Sequence, residues 1–228
     1  MPSIQSQFIE FALASDVLRF GSYKTKAGRM SPYFFNAGLF STGQMLDTLG
    51  AFYAKALLAA RDAGRIEFDM LFGPAYKGIP LVSTVAMNLA RMGCDCPYAF
   101  NRKEAKDHGA DKGGFLGSSL KDKDRVVMIE DVTTSGKSME ETVPKVRGAA
   151  NVEIVGLMVS LNRMEVGQGG VKSALDEIHE KYGFEGKAIV TMEEVVEHLY
   201  NRECQGRIVI DDTIRKAIDA YYEQYGCK

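Results

Sequence analysis

The chain is poor in the residue types that build several kinds of site. It holds only three histidines and four cysteines. His108, His179 and His198 share no metal-binding spacing, and the last two fall in charge-rich helical patterns that place them on the surface. Cys94 and Cys96 are too close for an ordinary disulfide, and one C-x-C without a second cluster is no zinc framework. With Cys204 and Cys227 they read as reduced thiols without a catalytic part. There is no basic surplus either. Twenty-eight Lys and Arg stand against 30 Asp and Glu, a net charge of −2, which argues against nucleic acid or a membrane surface as partner. No apolar run approaches the length of a transmembrane helix. The start, Met1 to Gln7, has neither the basic opening nor the apolar core of a signal peptide, so a cytoplasmic protein is expected. Repeats, low-complexity tracts and long linkers are missing, and no triad marks a covalent nucleophile.

What is present is enough apolar material for a sizeable core, 46% of 228 residues, arranged in alternating strand and helix patterns. The spacing of Ile4, Phe8, Phe11 and Leu18 predicts a helix over 4–18, stopped by Gly21. A second helix is expected over 44–61, capped by Thr42. Strand patterns follow at 69–72, 98–100, 126–129, 153–160 and 188–190, with helices at 79–91, 138–147 and 171–181 between them and two more at the end. A long polar loop is expected over 101–124. The pattern predicts one α/β domain over 1–228, a mainly parallel, doubly wound sheet. Its core is placed at about 66–190, a small cap or hood at about 1–65, and the helices of 191–228 against the core.

The most informative run is Val126-Val127-Met128-Ile129-Glu130-Asp131-Val132-Thr133-Thr134-Ser135-Gly136-Lys137-Ser138. A buried strand ends in two carboxylates. Small hydroxylated residues, a glycine and a helix follow. In open parallel sheets ligands bind at that edge. Backbone N–H groups at a helix N-terminus hold anions, and paired acids accept hydrogen bonds from sugar hydroxyls. The run therefore suits a phosphorylated sugar. Gly136-Lys137-Ser138 imitates the end of a Walker A loop, but that pattern needs glycine at 131, where this chain has Asp131.

Three more segments carry charge beside turns. Gly73-Pro74-Ala75-Tyr76-Lys77-Gly78 also joins a strand to a helix, and Lys77 offers a point charge to a pyrophosphate. Asn101-Arg102-Lys103-Glu104-Ala105-Lys106-Asp107-His108-Gly109 brings three cations and an imidazole into a long glycine-rich stretch, as a lid over polyphosphate requires. Lys24 to Asn36 leads from cations into Tyr33, Phe34 and Phe35, a stacking surface for a planar anion. Arg163 lies just past the strand at 153–160, on the same edge as the acids, where it can grip a carboxylate.

Together these segments resemble the type I phosphoribosyltransferases. The resemblance runs in order and spacing from Lys26 to Arg163, and Lys-x-Gly-Arg-x-Ser-Pro-Tyr-Phe-Phe-Asn, Gly-Pro-Ala-Tyr-Lys-Gly and Asn-Arg-Lys-Glu-Ala-Lys-Asp-His-Gly mark the orotate branch. It implies transfer of phosphoribose from phosphoribosyl diphosphate (PRPP) to orotate. It assigns the ribose hydroxyls to Glu130 and Asp131, and the 5′-phosphate to the backbone of Val132, Thr133, Thr134, Ser135, Gly136, Lys137 and Ser138. PRPP contacts fall to Lys26, Tyr76, Lys77, Arg102, Lys103, Lys106 and His108. Lys26, Phe34, Phe35, Thr134 and Arg163 form the orotate pocket. Asp131, Lys106, Lys77 and Glu130 carry the catalysis. The resemblance further implies Mg²⁺ carried by PRPP without direct protein ligands, and a homodimer whose mobile loop reaches across the interface. Two departures stand out: Glu130 replaces the aspartate common in the orotate branch, and Lys137-Ser138 replaces small residues. The alternatives are transfer to another nucleobase and a PRPP- or nucleotide-sensing regulator on the same fold.

Overall fold

A computed structural model of the chain describes residues 2–25, 28–106, 113–133 and 136–227, with residues 103–106 described in their backbone only. Helix α1 (Ile4–Ala14) is capped by Ser3, whose side chain accepts from the Ser6 N–H. It ends earlier than its apolar spacing predicts. Asp16 turns into the left-handed region (φ 58°), and Leu18 instead opens strand β1 (Leu18–Lys24), which pairs antiparallel with β2 (Met30–Phe35). Leu18 is buried all the same: its apolar character fixed its burial, not its conformation. Helix α2 (Gly43–Asp62) begins as expected at Thr42, which accepts from the Met45 N–H.

The central sheet starts at β3 (Met70–Gly73), crosses through α3 (Gly78–Arg91) to β4 (Tyr98–Lys106), and turns back antiparallel in β5 (Gly113–Gly117). Within the expected polar loop over 101–124, residues 101–106 and 113–117 thus belong to two antiparallel strands. The polar residues of this stretch show no apolar alternation, and backbone pairing holds them extended. Next come β6 (Arg125–Ile129), α4 (Lys137–Ala149), β7 (Glu153–Asn162), α5 (Ala174–Tyr182) and β8 (Glu185–Thr191). Helix α6 (Met192–Leu199), a small hairpin of β9 (Glu203–Cys204) and β10 (Arg207–Ile208), and α7 (Asp212–Tyr225) complete the described chain.

The strand order is β5-β4-β3-β6-β7-β8, with β5 antiparallel and the rest parallel. Both faces are covered, as a parallel sheet requires. Alternate residues of β3 and β6 point to opposite sides. Leu71, Val127 and Ile129 join the core with α2 and α3, while Met70, Phe72, Val126 and Met128 join the core with α4 and α5. Helix α2 lies in a helical layer with α3 on the sheet. The ribbon β1–β2 reaches the C-terminal edge, where Tyr33 meets Glu165.

From β3 the chain winds one way through β4 and resumes on the other side through β6, which makes the β3–β6 boundary the topological switch point. Ligands of open α/β sheets bind there, and there the Gly73–Lys77 turn and the Glu130–Asp131 pair emerge.

Candidate active site

Two glycines shape this edge. Gly73 ends β3 where the chain folds straight back into α3. A β carbon there would sit 2.2 Å from the Gly78 carbonyl oxygen and 2.7 Å from Val82. Gly136 adopts φ 66°, the left-handed region, at the start of α4. Its N–H donates to Thr133 Oγ1 at 3.2 Å, so the turn after β6 is closed by its own side chain.

The first two segments meet directly. Lys77 Nζ donates to Asp131 Oδ2 at 2.7 Å, from a lysine 64% exposed to a carboxylate only 15% exposed. Glu130 accepts a short hydrogen bond from the Ser138 hydroxyl. Burial pushes the Glu130 carboxyl up to about 7, with the neighbouring Asp131 adding to the rise and the Ser138 hydrogen bond and Lys77 opposing it. The pair's backbone is fastened from beneath: Tyr53 donates to the Glu130 carbonyl at 2.6 Å, and the Ser160 N–H donates to the Asp131 carbonyl at 2.9 Å. Neither Tyr53 nor Ser160 carries a signal in the sequence, because each acts from a helix or strand far along the chain. The one mark of Tyr53 is its place on the buried face of α2.

Tyr76 is 66% exposed on the turn before α3. The Ala75 N–H of that turn donates to Asn101 Oδ1 at 2.8 Å, which ties the turn to β4. Arg102 follows on β4; its Nε and Nη1 are buried with no hydrogen-bond partner among the described residues. Lys103 and Lys106 lie on the same strand, their side chains outside the described residues. Lys26, His108, Thr134 and Ser135 are outside them altogether. Val132 packs against the core. Lys137 is exposed, while Ser138 is half-buried with its hydroxyl on Glu130.

Arg163 lies three residues beyond Ser160, on the edge that carries the acids. It is 18% exposed and pairs with Glu165, Nη2 to Oε1 at 2.8 Å. Its guanidinium carbon stands 5.1 Å from the centre of the Tyr33 ring. Burial opposes the arginine's charge, but Tyr33 and Glu165 more than offset this and hold its pKa above the ordinary value. Of the three aromatics on β2, Phe34 and Phe35 are half-buried, Phe34 beside Tyr23 and Phe35 against the core. Tyr33, which the sequence marks only as part of an aromatic cluster, is the one that reaches Arg163.

Among the described residues no three His, Cys, Asp or Glu side chains come together to hold a metal ion. The two acids at the site face Ser138 and Lys77 instead.

The phosphoribosyl transferase domain model matches residues 42–182, which take in strands β3 to β7 of the central sheet. The chain belongs to the phosphoribosyltransferase family. Over 229 aligned residues and all of both chains it is 69% identical to the orotate phosphoribosyltransferase of Agathobacter rectalis. It is 54% identical to that of Lachnoclostridium phytofermentans over 99% of each. The solved structure of orotate phosphoribosyltransferase from Francisella tularensis superposes with a TM-score of 0.83, at 37% identity, over 96% of this chain and 99% of that one. These relatives place it in the orotate phosphoribosyltransferase branch of that family.

Proposed function

We infer that this protein transfers the 5-phosphoribosyl group of PRPP to N1 of orotate, giving orotidine 5′-monophosphate and pyrophosphate, a step of UMP biosynthesis. The observation that carries the reading is the meeting of the Lys77 turn with the Glu130–Asp131 pair at the switch point, 2.7 Å apart. It sets a cation for the leaving diphosphate beside acceptors for the ribose. Arg163, on the same edge, supplies the match to a carboxylated base.

Orotate N1 gives up its proton to solvent and forms a bond to C1′ as the bond from C1′ to the diphosphate oxygen breaks, and the electron pair leaves on pyrophosphate. Direct displacement inverts the anomeric carbon. Positive charge grows on the sugar and negative charge on the departing group. Glu130 and Asp131 hold the ribose hydroxyls, and the backbone from Val132 to Ser138 holds the 5′-phosphate. Lys77 exchanges Asp131 for the diphosphate, where Lys26, Tyr76, Arg102, Lys103, Lys106 and His108 join it. Fixed cations around a leaving anion lower the barrier without reorganisation. Mg²⁺ enters with PRPP as part of the substrate. Phe34, Phe35 and Thr134 complete the orotate pocket around Arg163. Closure of the β4–β5 ribbon shuts out water that would hydrolyse PRPP. In a homodimer this ribbon reaches its partner's site. Four unpaired cysteines suit a reducing compartment, the cytoplasm.

The test is orotate consumption with Mg²⁺ and PRPP, followed by ultraviolet absorbance, with uracil and hypoxanthine in parallel and Asp131→Asn as control. Rapid loss of orotate alone is expected. PRPP binding without turnover of orotate would refute the assignment. Lys106→Ala should lower kcat by about 10²–10³-fold and change orotate affinity far less. An unchanged kcat would remove Lys106 from the lid.

A further inference from the structure

The setting of Arg163 is more elaborate than an ion pair needs. Its Nε and Nη2 both donate to Glu165 Oε1, at 3.1 and 2.8 Å. Nε also donates to the Tyr33 hydroxyl at 3.1 Å, and that hydroxyl itself donates to the same Glu165 oxygen. Behind the side chain, Tyr222 of α7 donates to the Arg163 carbonyl at 2.6 Å. The turn that follows is laced to the end of the chain, Val166 N–H to the Tyr225 carbonyl at 2.9 Å and Cys227 N–H to the Met164 carbonyl at 3.0 Å. Two distant parts of the chain thus reach Arg163, β2 at its guanidinium through Tyr33 and α7 at its backbone carbonyl through Tyr222.

A guanidinium has two edges able to take a carboxylate in two-pronged fashion, Nε with Nη2 and Nη1 with Nη2. Here the first is taken by Glu165. Nη1 has no hydrogen-bond partner among the described residues, so the second edge is the one free to receive a ligand. A long arginine side chain otherwise has considerable rotamer freedom to lose on binding.

We propose that Glu165, with Tyr33 and Tyr222, is a positioning device that presents the Nη1–Nη2 edge of Arg163 to the carboxylate of the base. The proposal rests on the reading of Arg163 as the orotate carboxylate site. Glu165 does not touch the substrate. It acts through Arg163, and α7, beyond the stretch matched by the family model, takes part through Tyr222.

The sign of the effect separates this from simple electrostatics. Glu165 is an anion beside a subsite for an anion, so on charge alone its removal should tighten orotate binding. Positioning demands the reverse. Glu165→Ala is expected to raise the KM for orotate about tenfold or more, as befits a hydrogen bond to a charged group, with the KM for PRPP unchanged. Glu165→Gln, which keeps an acceptor, should recover part of the loss. Tyr222→Phe removes one hydroxyl and little packing, and it should raise the orotate KM severalfold with the melting temperature held. Arg163→Ala is the reference. If it raises the orotate KM while Glu165→Ala and Tyr222→Phe leave that KM unchanged or lower it, the positioning role is overturned and the carboxylate site stands. Equal rises in both substrates' KM would mark a structural role and also overturn it. If Arg163→Ala leaves the orotate KM unchanged, the carboxylate site itself falls and the proposal with it.

Discussion

At Glu130, burial raises a carboxyl from 4.5 to about 7, which ties both stability and binding to pH. Between those values the folded chain holds a proton that the unfolded chain has released. Stability from this group therefore declines as pH rises from about 4.5 to about 7, and is flat above. Binding runs the other way, because only the carboxylate accepts freely from a ribose hydroxyl. PRPP affinity should climb as pH rises through about 7, and Glu130→Gln should flatten that part of the profile. The substrate's own phosphate titrates near 6, so the difference between wild type and variant is the quantity to measure, by calorimetric titration from pH 5.5 to 8.5. Parallel profiles for the two proteins would place the titrating group elsewhere.

At the scale of elements, the switch point depends on how tightly β3 returns into α3. Gly73→Ala would drive a methyl group into the Gly78 carbonyl and Val82, so strand and helix must part. Overpacking of this kind costs about 1–3 kcal/mol. The displaced 74–77 turn also carries Lys77 away from Asp131. Urea unfolding should show the lost stability, and the KM for PRPP should rise together with it. A variant of wild-type stability and KM would mean that the turn tolerates the side chain. These elements were largely legible beforehand. Thr42 caps α2 where a cap was expected, and the apolar run 126–129 is the buried strand it resembles. Asp16 and the antiparallel pairing of β4 with β5 were not legible. A left-handed residue at 16 and an antiparallel pairing of polar residues leave no periodic apolar signal.

At the scale of the whole molecule, the proposed sharing of the site across a dimer makes a prediction that no single chain can satisfy. Lys106→Ala and Asp131→Asn should each retain at most a small residual activity alone. Mixed and re-equilibrated in equal amounts, half the dimers are hybrids, and each hybrid regains one of its two sites. Roughly a quarter of wild-type activity should return, as isologous pairing dictates. No recovery, with hybrid dimers shown by mass spectrometry, would mean that each ribbon serves its own subunit.

The order of chemistry along the chain was settled by the sequence itself: a buried strand, two acids, small residues and a helix at 126–138, a second charged turn at 73–78, an arginine past the next strand. Those features are local, and backbone preference with hydrophobic period suffices to produce them. What Arg163 faces was decided only in three dimensions. Tyr33, Glu165 and Tyr222 are brought to it by the β1–β2 ribbon, the turn after β7 and α7. The hydroxyls of Tyr53 and Ser160 likewise reach the acid pair from α2 and β7. Partners so far apart in the chain leave no mark in any short stretch of it, because burial and hydrogen bonding act on distance in space.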